Sequence, residues 1–169
     1  MKKFWYSAFA AMALGGCVQL PQTSSEFRHA VQGGAFLTRT HSAVVPQPFE
    51  AVIANLNKYA LTCLARRQSS VVMSSSPGDM SLGVVIYRPK LQVVGPQSAE
   101  LTLQMGPKSP GIRAPPDGPF IMLVDIESSS AQGETRLTVY GRTTARERAL
   151  ADESLPEWAR GIPANCPLE

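Results

Sequence analysis

Residues 49–64 read FEAVIANLNKYALTCL, and this segment has the clearest periodicity in the chain. Its apolar side chains recur at the spacing of one helical face over about four turns: Phe49, Val52, Ile53, Leu56, Ala60, Cys63 and Leu64. Pro48 suits the first turn, where a missing N–H costs no hydrogen bond, and Glu50 lies near the positive end of the helix dipole. The segment therefore predicts a long amphipathic helix whose apolar face packs on another layer.

On both sides of this helix the sequence shows the apolar alternation that is typical of strands. The runs that predict strands are residues 36–45, 80–87, 101–105, 120–126 and 136–140. Pro89 interrupts the second run, and residues 91–94 either resume it or begin another strand. Residues 69–79 are expected to form a polar loop and residues 128–133 a hairpin loop.

The end of the chain predicts short helices and a tail. Residues 145–152 have a helix-forming composition, and Ser154 with Glu157 matches a capping box that would begin a helix ending near Gly161. We therefore predict an α+β fold in two layers. It has one long amphipathic helix packed on an antiparallel sheet of four to five strands, short C-terminal helices and a bridged tail.

The composition places limits on function. The chain has 169 residues, of which 44% are hydrophobic and 17% charged, so it has enough apolar residues to build one core. Its net charge is +3. Without Lys2 and Lys3 the basic count falls from 16 to 14 against 13 acids, which leaves +1. Binding to nucleic acid is therefore not expected.

The first residues read as an export signal. Lys2 and Lys3 are followed by an apolar run over residues 4–14, which is too short to span a bilayer. The run ends in Leu14-Gly15-Gly16-Cys17, which resembles the lipobox of bacterial lipoproteins in all four positions. The alternatives are an ordinary signal peptide and a buried apolar strand that contains a cysteine.

The lipobox resemblance implies cleavage before Cys17, diacylation of its thiol and acylation of the new amino terminus, with acyl chains such as palmitate. Several acyl chains give stable membrane anchoring. Val18 follows Cys17; in enteric bacteria an aspartate there favours the inner membrane, so valine favours the outer membrane. We expect a signal peptide over residues 1–16, a lipidated cysteine and flexible tether over 17–34, and one α+β domain over 35–169.

The chain has three cysteines, an odd number that becomes even once Cys17 carries lipid. Cys63 and Cys166 then remain in an oxidising compartment, and a disulfide between them would tie the tail to the long helix. Two free buried thiols and a catalytic cysteine are the alternatives. A zinc site lacks ligands with suitable spacing, and no metal or cofactor is expected.

Residues 106–119 contain five prolines and three glycines, which exclude a helix and a central strand. We expect this segment to be exposed. Lys108 and Arg113 are its only cations and are candidate binding residues, because long loops in compact domains are often functional. A stiff surface excursion without a binding role is the simpler alternative.

The sequence contains no recognisable catalytic motif. Asp125 and Glu127 lie two residues apart and could form an acid pair, but solvated carboxylates explain them better. His41 has no identifiable nucleophile beside it. The arginine groups at 66–67 and at 142, 146 and 148 are candidate sites for phospholipid or lipopolysaccharide phosphates, or they complement helix ends and aid solubility.

The order of elements resembles the helix-grip and related modules of some outer-membrane lipoproteins, including an accessory lipoprotein of the β-barrel assembly machinery. The resemblance implies a non-enzymatic, periplasm-facing lipoprotein that serves as a scaffold or accessory component and binds an envelope protein. The alternative is a carrier or sensor that holds an apolar, lipid-like ligand between helix and sheet. A hollow lined by Val52, Leu56, Leu103 and Val124 would favour the carrier.

Overall fold

The structure is a computed structural model that describes residues 20–35, 37–73, 80–106, 113–129 and 133–167. Its elements are α1 (Ser24–Gln32), β1 (Thr38–Val45), α2 (Phe49–Leu64), β2 (Arg67–Met73), β3 (Met80–Gly95), β4 (Ser98–Gly106), β5 (Phe120–Ser128), β6 (Thr135–Arg142), α3 (Ala145–Ala149) and α4 (Leu155–Ala159). A π-helical turn, Leu150–Ser154, joins α3 to α4.

Within the described residues, six strands form one antiparallel sheet in the order β1-β6-β5-β4-β3-β2. The predicted α+β class is confirmed, but the predicted count of four to five strands is too low. Strands β3 to β6 pair with their sequence neighbours, whereas β1 joins the sheet beside β6. The first and last strands of the sequence pattern are therefore neighbours in the sheet.

The additional strand is β2, in a segment that was predicted to be a polar loop from residue 69 onward. Arg67 to Met73 pair residue by residue with Ile86 to Met80 of β3. The two serines of this segment suggested a loop. Serine side chains do not prevent backbone pairing, however, and β3 supplies the hydrogen-bond partners of a hairpin. The prediction was wrong for residues 69–73, because strand pairing prevailed over local composition, and residues 74–79 lie outside the described residues.

Pro89 does not interrupt β3, which runs unbroken through it. The pairing of β2 with β3 ends at Arg67 and Ile86, so β3 has an open edge beyond that point. The Tyr87 N–H donates to the carbonyl of Arg66 on the β2 side, and residue 89 directs its nitrogen to that same side. The missing N–H of proline therefore falls on the open edge, where no partner strand needs it.

Helix α2 packs on one face of the sheet as the periodicity predicts. The apolar face of α2 packs against β3, β4 and β5, and inward side chains of β6 together with the C-terminal helices complete this core. Val52, Leu56, Leu103 and Val124 are each 0% exposed. The space between α2 and the sheet is therefore filled by side chains, and the expected signature of a carrier at this place is not found.

On the opposite face of the sheet α1 packs against β1, β5 and β6, so this part of the domain has three layers instead of the predicted two. Phe27 and Val31 of α1 are buried against Leu123 and Tyr140, with Phe120 beside them. Residues 17–34 were predicted to be a flexible tether without periodicity. This was wrong for Ser24–Gln32, which forms a helix packed on the sheet.

The C-terminal helical segment begins with α3, as the helix-forming composition of residues 145–152 predicts, ahead of the predicted capping box. Thr144 caps α3, and its hydroxyl accepts a hydrogen bond from the Glu147 N–H at 3.4 Å. Ser154 has helical backbone angles and makes no cap; its hydroxyl donates instead to the carbonyl of Asn165 at 3.2 Å. The helix predicted to follow Ser154 is therefore present as α4, but the predicted capping box is wrong, because this buried serine binds the tail.

The tail is joined to α2 by a disulfide between Cys63 and Cys166, which confirms the predicted pairing. The two Cα atoms are 5.6 Å apart across a sequence separation of 103 residues. The Trp158 indole N–H donates to the carbonyl of Ala164 at 3.4 Å, and Trp158 itself is buried in the core. The tail therefore runs along the end of α2, as the sequence predicts.

Candidate functional site

Helix α1 begins with a capping arrangement that fixes the path of the chain before it. The Thr23 hydroxyl accepts from the Glu26 N–H at 3.1 Å, and the Glu26 carboxylate accepts from the Gln22 N–H at 2.7 Å. Residues with these side chains at this spacing satisfy donors at a helix start that would otherwise lack partners. Thr23 and Glu26 are a sequence signal that could have identified α1.

An ion-pair cluster fastens α1 to the sheet. The Arg28 guanidinium donates to both oxygens of Asp125, at 2.8 and 2.6 Å, and to Glu100 at 3.0 Å. Asp125 and Glu100 raise the pKa of Arg28, mainly through the hydrogen bond that the guanidinium donates to Asp125. Asp125 is therefore engaged with Arg28 and does not form the acid pair with Glu127 that the sequence suggested.

Burial and the nearby charge of Asp125 raise the pKa of Tyr140, whose ring lies beneath Arg28 with the guanidinium 5.7 Å from its centroid. Tyr140 is 6% exposed and belongs to the small core under α1. It therefore supports the helix and the arginine and does not stand free as a binding anchor.

A second charged cluster lies on the other face of the sheet. Arg39 on β1 donates to the carboxylate of Asp152 in the π-helical turn, and His41 Nδ1 lies 3.4 Å from the same oxygen. The hydrogen bond from Arg39 lowers the pKa of Asp152. The cluster holds the edge strand β1 to the C-terminal helices, which gives His41 a structural partner.

An apolar groove of about 380 Å³ lies beside α1, at the end of the sheet where β1 begins and β6 ends. Its walls come from the segment before α1, from α1 itself, from the start of β1 and from the start of β5. The apolar and small side chains that line it are Leu20, Pro21, Phe27, Ala30, Val31, Ala35, Leu37, Pro119 and Phe120. Thr38, Arg142 and Thr144 supply its polar rim.

Leu37 at this groove is held in an outward position. It is 60% exposed and has a φ of 58°, an uncommon backbone conformation for a residue other than glycine. Thr143 holds it there, because both its N–H (2.9 Å) and its hydroxyl (3.2 Å) donate to the Leu37 carbonyl. Such backbone strain persists only where the surroundings fix it, and it is found mainly at functional sites.

A second cleft, of about 340 Å³, opens at the same end of the sheet but on the α2 side. Arg142, Arg146 and Glu147 lie along it beside apolar side chains that include Met105 and Ile121. Burial raises the pKa of Glu147 despite the opposing charge of Arg142, and its Oε2 is buried with no hydrogen-bond partner among the described residues. Arg142 lines both this cleft and the groove beside α1.

The described part of the proline-rich segment is only partly exposed. Arg113 is exposed, but Pro115 and Gly118 are buried, which corrects the expectation that all of residues 106–119 are exposed. Gly118 has a φ of 101° and lies against the backbone of Met105, so no side chain fits there. The Gln104 side chain donates to the Gly118 carbonyl at 2.9 Å and fastens this turn to β4.

The predicted site residues fall in different places. Cys17 and Lys108 lie outside the described residues, so their roles stay predictions. The carbonyl of Arg113 accepts from the Gln22 side chain at 3.1 Å, which brings this arginine close to the start of the described chain. No sequence pattern predicted that Leu20, Leu37 and Arg142 would share one groove.

Within the described ranges, both a metal-binding cluster and a membrane-spanning helix are absent. No group of three or more His, Cys, Asp or Glu side chains in those ranges is arranged to hold a metal ion. None of the helices in the same ranges has the length and apolar character needed to cross a bilayer.

Comparisons with known proteins give little more. No protein-family model matches the chain, and no curated protein matches it. Among solved structures, a conserved protein from Geobacillus kaustophilus is 12% identical with a TM-score of 0.38, covering 73% of this chain and 93% of its own. Ara h 8.0201 is 10% identical with a TM-score of 0.36, covering 73% and 95%. A hypothetical protein from Helicobacter pylori is 12% identical with a TM-score of 0.37, covering 89% and 92%. These scores are too low to support any inference about function.

Proposed function

We propose that this protein is an outer-membrane-anchored lipoprotein that faces the periplasm and acts by binding, without catalysis, as a scaffold or accessory component of an envelope assembly. The lipobox resemblance at Leu14 to Cys17 supports the anchor, and Val18 supports the outer membrane. The partner in this proposal is an envelope protein, and the membrane contact is made through acyl chains on Cys17.

The observation that carries the binding role is the filled interior. Val52, Leu56, Leu103 and Val124 leave no hollow between α2 and the sheet, so the surfaces of the domain remain for recognition. Both charged clusters are engaged internally: Arg28 with Asp125 and Glu100, and Arg39 with Asp152. Groups committed to ion pairs that hold helices and strands together are poor candidates for proton transfer.

The disulfide between Cys63 and Cys166 also supports this proposal, because such bonds persist in oxidising compartments such as the periplasm. It accounts for both cysteines other than Cys17. An exported protein with an odd cysteine count then has its third cysteine free for lipid attachment.

Mass spectrometry of the protein from membranes tests the anchor. We expect an amino terminus at Cys17 that carries the lipid mass, and a Cys17→Ser variant that leaves the membrane fraction or fails to be processed. A variant that fractionates as the wild type does would contradict the anchor. Cross-linking in intact cells, followed by detergent extraction of the lipidated protein, tests for a stable envelope partner.

A second candidate function is a carrier or sensor for a lipid-like ligand. It is favoured by the groove beside α1, which lies between a helix and the sheet, although on the face opposite α2. The test is lipid analysis of the purified protein after detergent exchange. Stoichiometric lipid besides the covalent anchor would support the carrier, and its absence would favour the scaffold.

A further inference from the structure

The groove beside α1 lies close to the attachment point of the proposed anchor. Leu20 and Pro21 line the groove, and Cys17 lies three residues before Leu20. Three residues of extended chain span at most about 11 Å. Because this connection is so short, a lipid on Cys17 would hold this end of the domain close to the bilayer surface.

Charge and apolar surface occur together at this end. Leu37 extends from the groove with 60% of its surface exposed, and Arg142 lies at the groove rim. Arg113 lies close by, since its carbonyl binds the side chain of Gln22, and Arg146 lines the second cleft on the other side of Arg142. An exposed apolar centre with arginines around it is the pattern by which proteins bind anionic membrane surfaces.

From this arrangement we infer that the end of the sheet formed by Leu20, Leu37, Arg113 and Arg142 docks on the anionic bilayer that carries the anchor. Leu37 enters the interfacial region, and the arginines bind lipid phosphates. The inference rests on the proposed anchor at Cys17. Docking would orient the domain on the membrane, with the opposite end of the sheet, where β1 ends and β6 begins, presented to a partner.

The chain offers a matched pair of positions for a test. Leu37 and Val94 are both large, apolar and exposed, at 60% and 61%. They lie at opposite ends of the sheet, because Leu37 precedes β1 and contacts Thr143 beyond Arg142, whereas Val94 is near the end of β3 that pairs with Ser98. A tryptophan at each position reports contact with the bilayer.

The experiment uses the full lipidated protein with Leu37→Trp or Val94→Trp, reconstituted in vesicles of phosphatidylethanolamine and phosphatidylglycerol with brominated acyl chains. The wild type gives the emission of Trp158, which is subtracted. We expect quenching and a blue shift of the tryptophan at position 37 and neither at position 94. Circular dichroism checks that both variants fold.

The arginines are tested with a second matched pair on one strand. Arg142 and Arg136 lie at opposite ends of β6, about 20 Å apart, and both are exposed. Added to Leu37→Trp, the substitution Arg142→Gln should lower the ratio of docked to free domain about fivefold, which corresponds to about 1 kcal/mol for one arginine at an anionic surface. Arg136→Gln should leave this ratio unchanged. With vesicles of phosphatidylcholine alone, which carry no net charge, a change in salt concentration should not alter the ratio of docked to free domain.

The outcomes separate this inference from the proposed function. A protein without lipid mass on Cys17 contradicts the anchor, and this is established before reconstitution. If the lipidated protein is membrane-bound but tryptophans at positions 37 and 94 are quenched equally or not at all, the docking inference is wrong and the anchor stands. A detergent-stable dimer that shields position 37, or a co-purified lipid that does so without vesicles, would also overturn docking.

Discussion

Arg28 of α1 and Asp125 of β5 form a two-point ion pair, with the guanidinium Nε and Nη2 at 2.8 and 2.6 Å from the two carboxylate oxygens. Ninety-seven residues separate them in sequence. The side chains are 25% and 21% exposed, so solvent screens the pair only in part. This contact, together with the buried Phe27 and Val31, makes α1 a layer of the domain.

Replacing Arg28 with methionine should lower the free energy of unfolding by about 1–3 kcal/mol, the range for loss of hydrogen bonds to a partly buried charged group. The change would leave Asp125 and Glu100 facing each other without a cation. Urea unfolding measures the loss, and Arg67→Met on the exposed surface of β2 is the control. Equal stabilities of the two variants would mean that the ion pair contributes nothing measurable.

Limited trypsin digestion distinguishes a helical layer from a tether over residues 24–32. The proline and glycine content of residues 106–119 predicts cleavage after Lys108 first, and after Arg113 more slowly because residues 115–119 pack on β4. Cleavage after Arg28 should come later, since α1 is packed on the sheet. Early cleavage after Arg28 in the folded protein would restore the tether prediction. Protein unfolded in urea, in which all three sites are accessible, is the control.

Much of the fold could be predicted from the sequence where one pattern extends over many residues. Helix α2 has seven apolar positions on one face over sixteen residues, so its periodicity could not be mistaken for that of a strand. The pairing of Cys63 with Cys166 followed from counting. Helix α1 has nine residues and buries only Phe27 and Val31, which is too few positions to show a period.

The groove beside α1 could not be predicted from the sequence, because its walls come from separate parts of the chain. Leu20, Leu37, Phe120 and Arg142 belong to four different segments that meet only when β1 pairs with β6 and α1 crosses them. From the sequence, Arg113 was a candidate only within the proline-rich segment, and Arg142 only within a group of arginines near the start of the C-terminal helices. The backbone strain at Leu37 also depends on Thr143, more than a hundred residues away.

Glu147 should make stability depend on pH. Burial raises the pKa of its carboxyl, so the folded state favours the protonated form more strongly than the unfolded chain does. The stabilising contribution of this proton is complete below the unfolded value of about 4.3 and is lost as pH rises through the folded value. Glu147→Gln should therefore remove this loss and raise the free energy of unfolding at neutral pH by up to about 1 kcal/mol.

Urea unfolding of this variant at several pH values between about 4 and 7 measures the effect, because carboxyl groups with ordinary and raised pKa values titrate in this range. Glu153→Gln, a change of an exposed carboxylate in the adjoining π-helical turn, is the control. Parallel stability curves for wild type and Glu147→Gln would show that the Glu147 carboxylate is not buried in the folded protein.

The disulfide between Cys63 and Cys166 should carry a substantial share of the stability of the domain. It closes a loop across a sequence separation of 103 residues, and on the chain-entropy model a loop of this length contributes roughly 4–5 kcal/mol. In the variant Cys63→Ala with Cys166→Ala we expect a loss of a few kcal/mol, because Trp158 and Ser154 still bind the tail through the carbonyls of Ala164 and Asn165.

Thiol labelling of periplasmic protein under denaturing conditions should modify neither Cys63 nor Cys166 before reduction and both after it. Labelling of both without reductant would contradict the bond in the cell, and unchanged unfolding of the double variant would show that the tail is held by its hydrogen bonds alone.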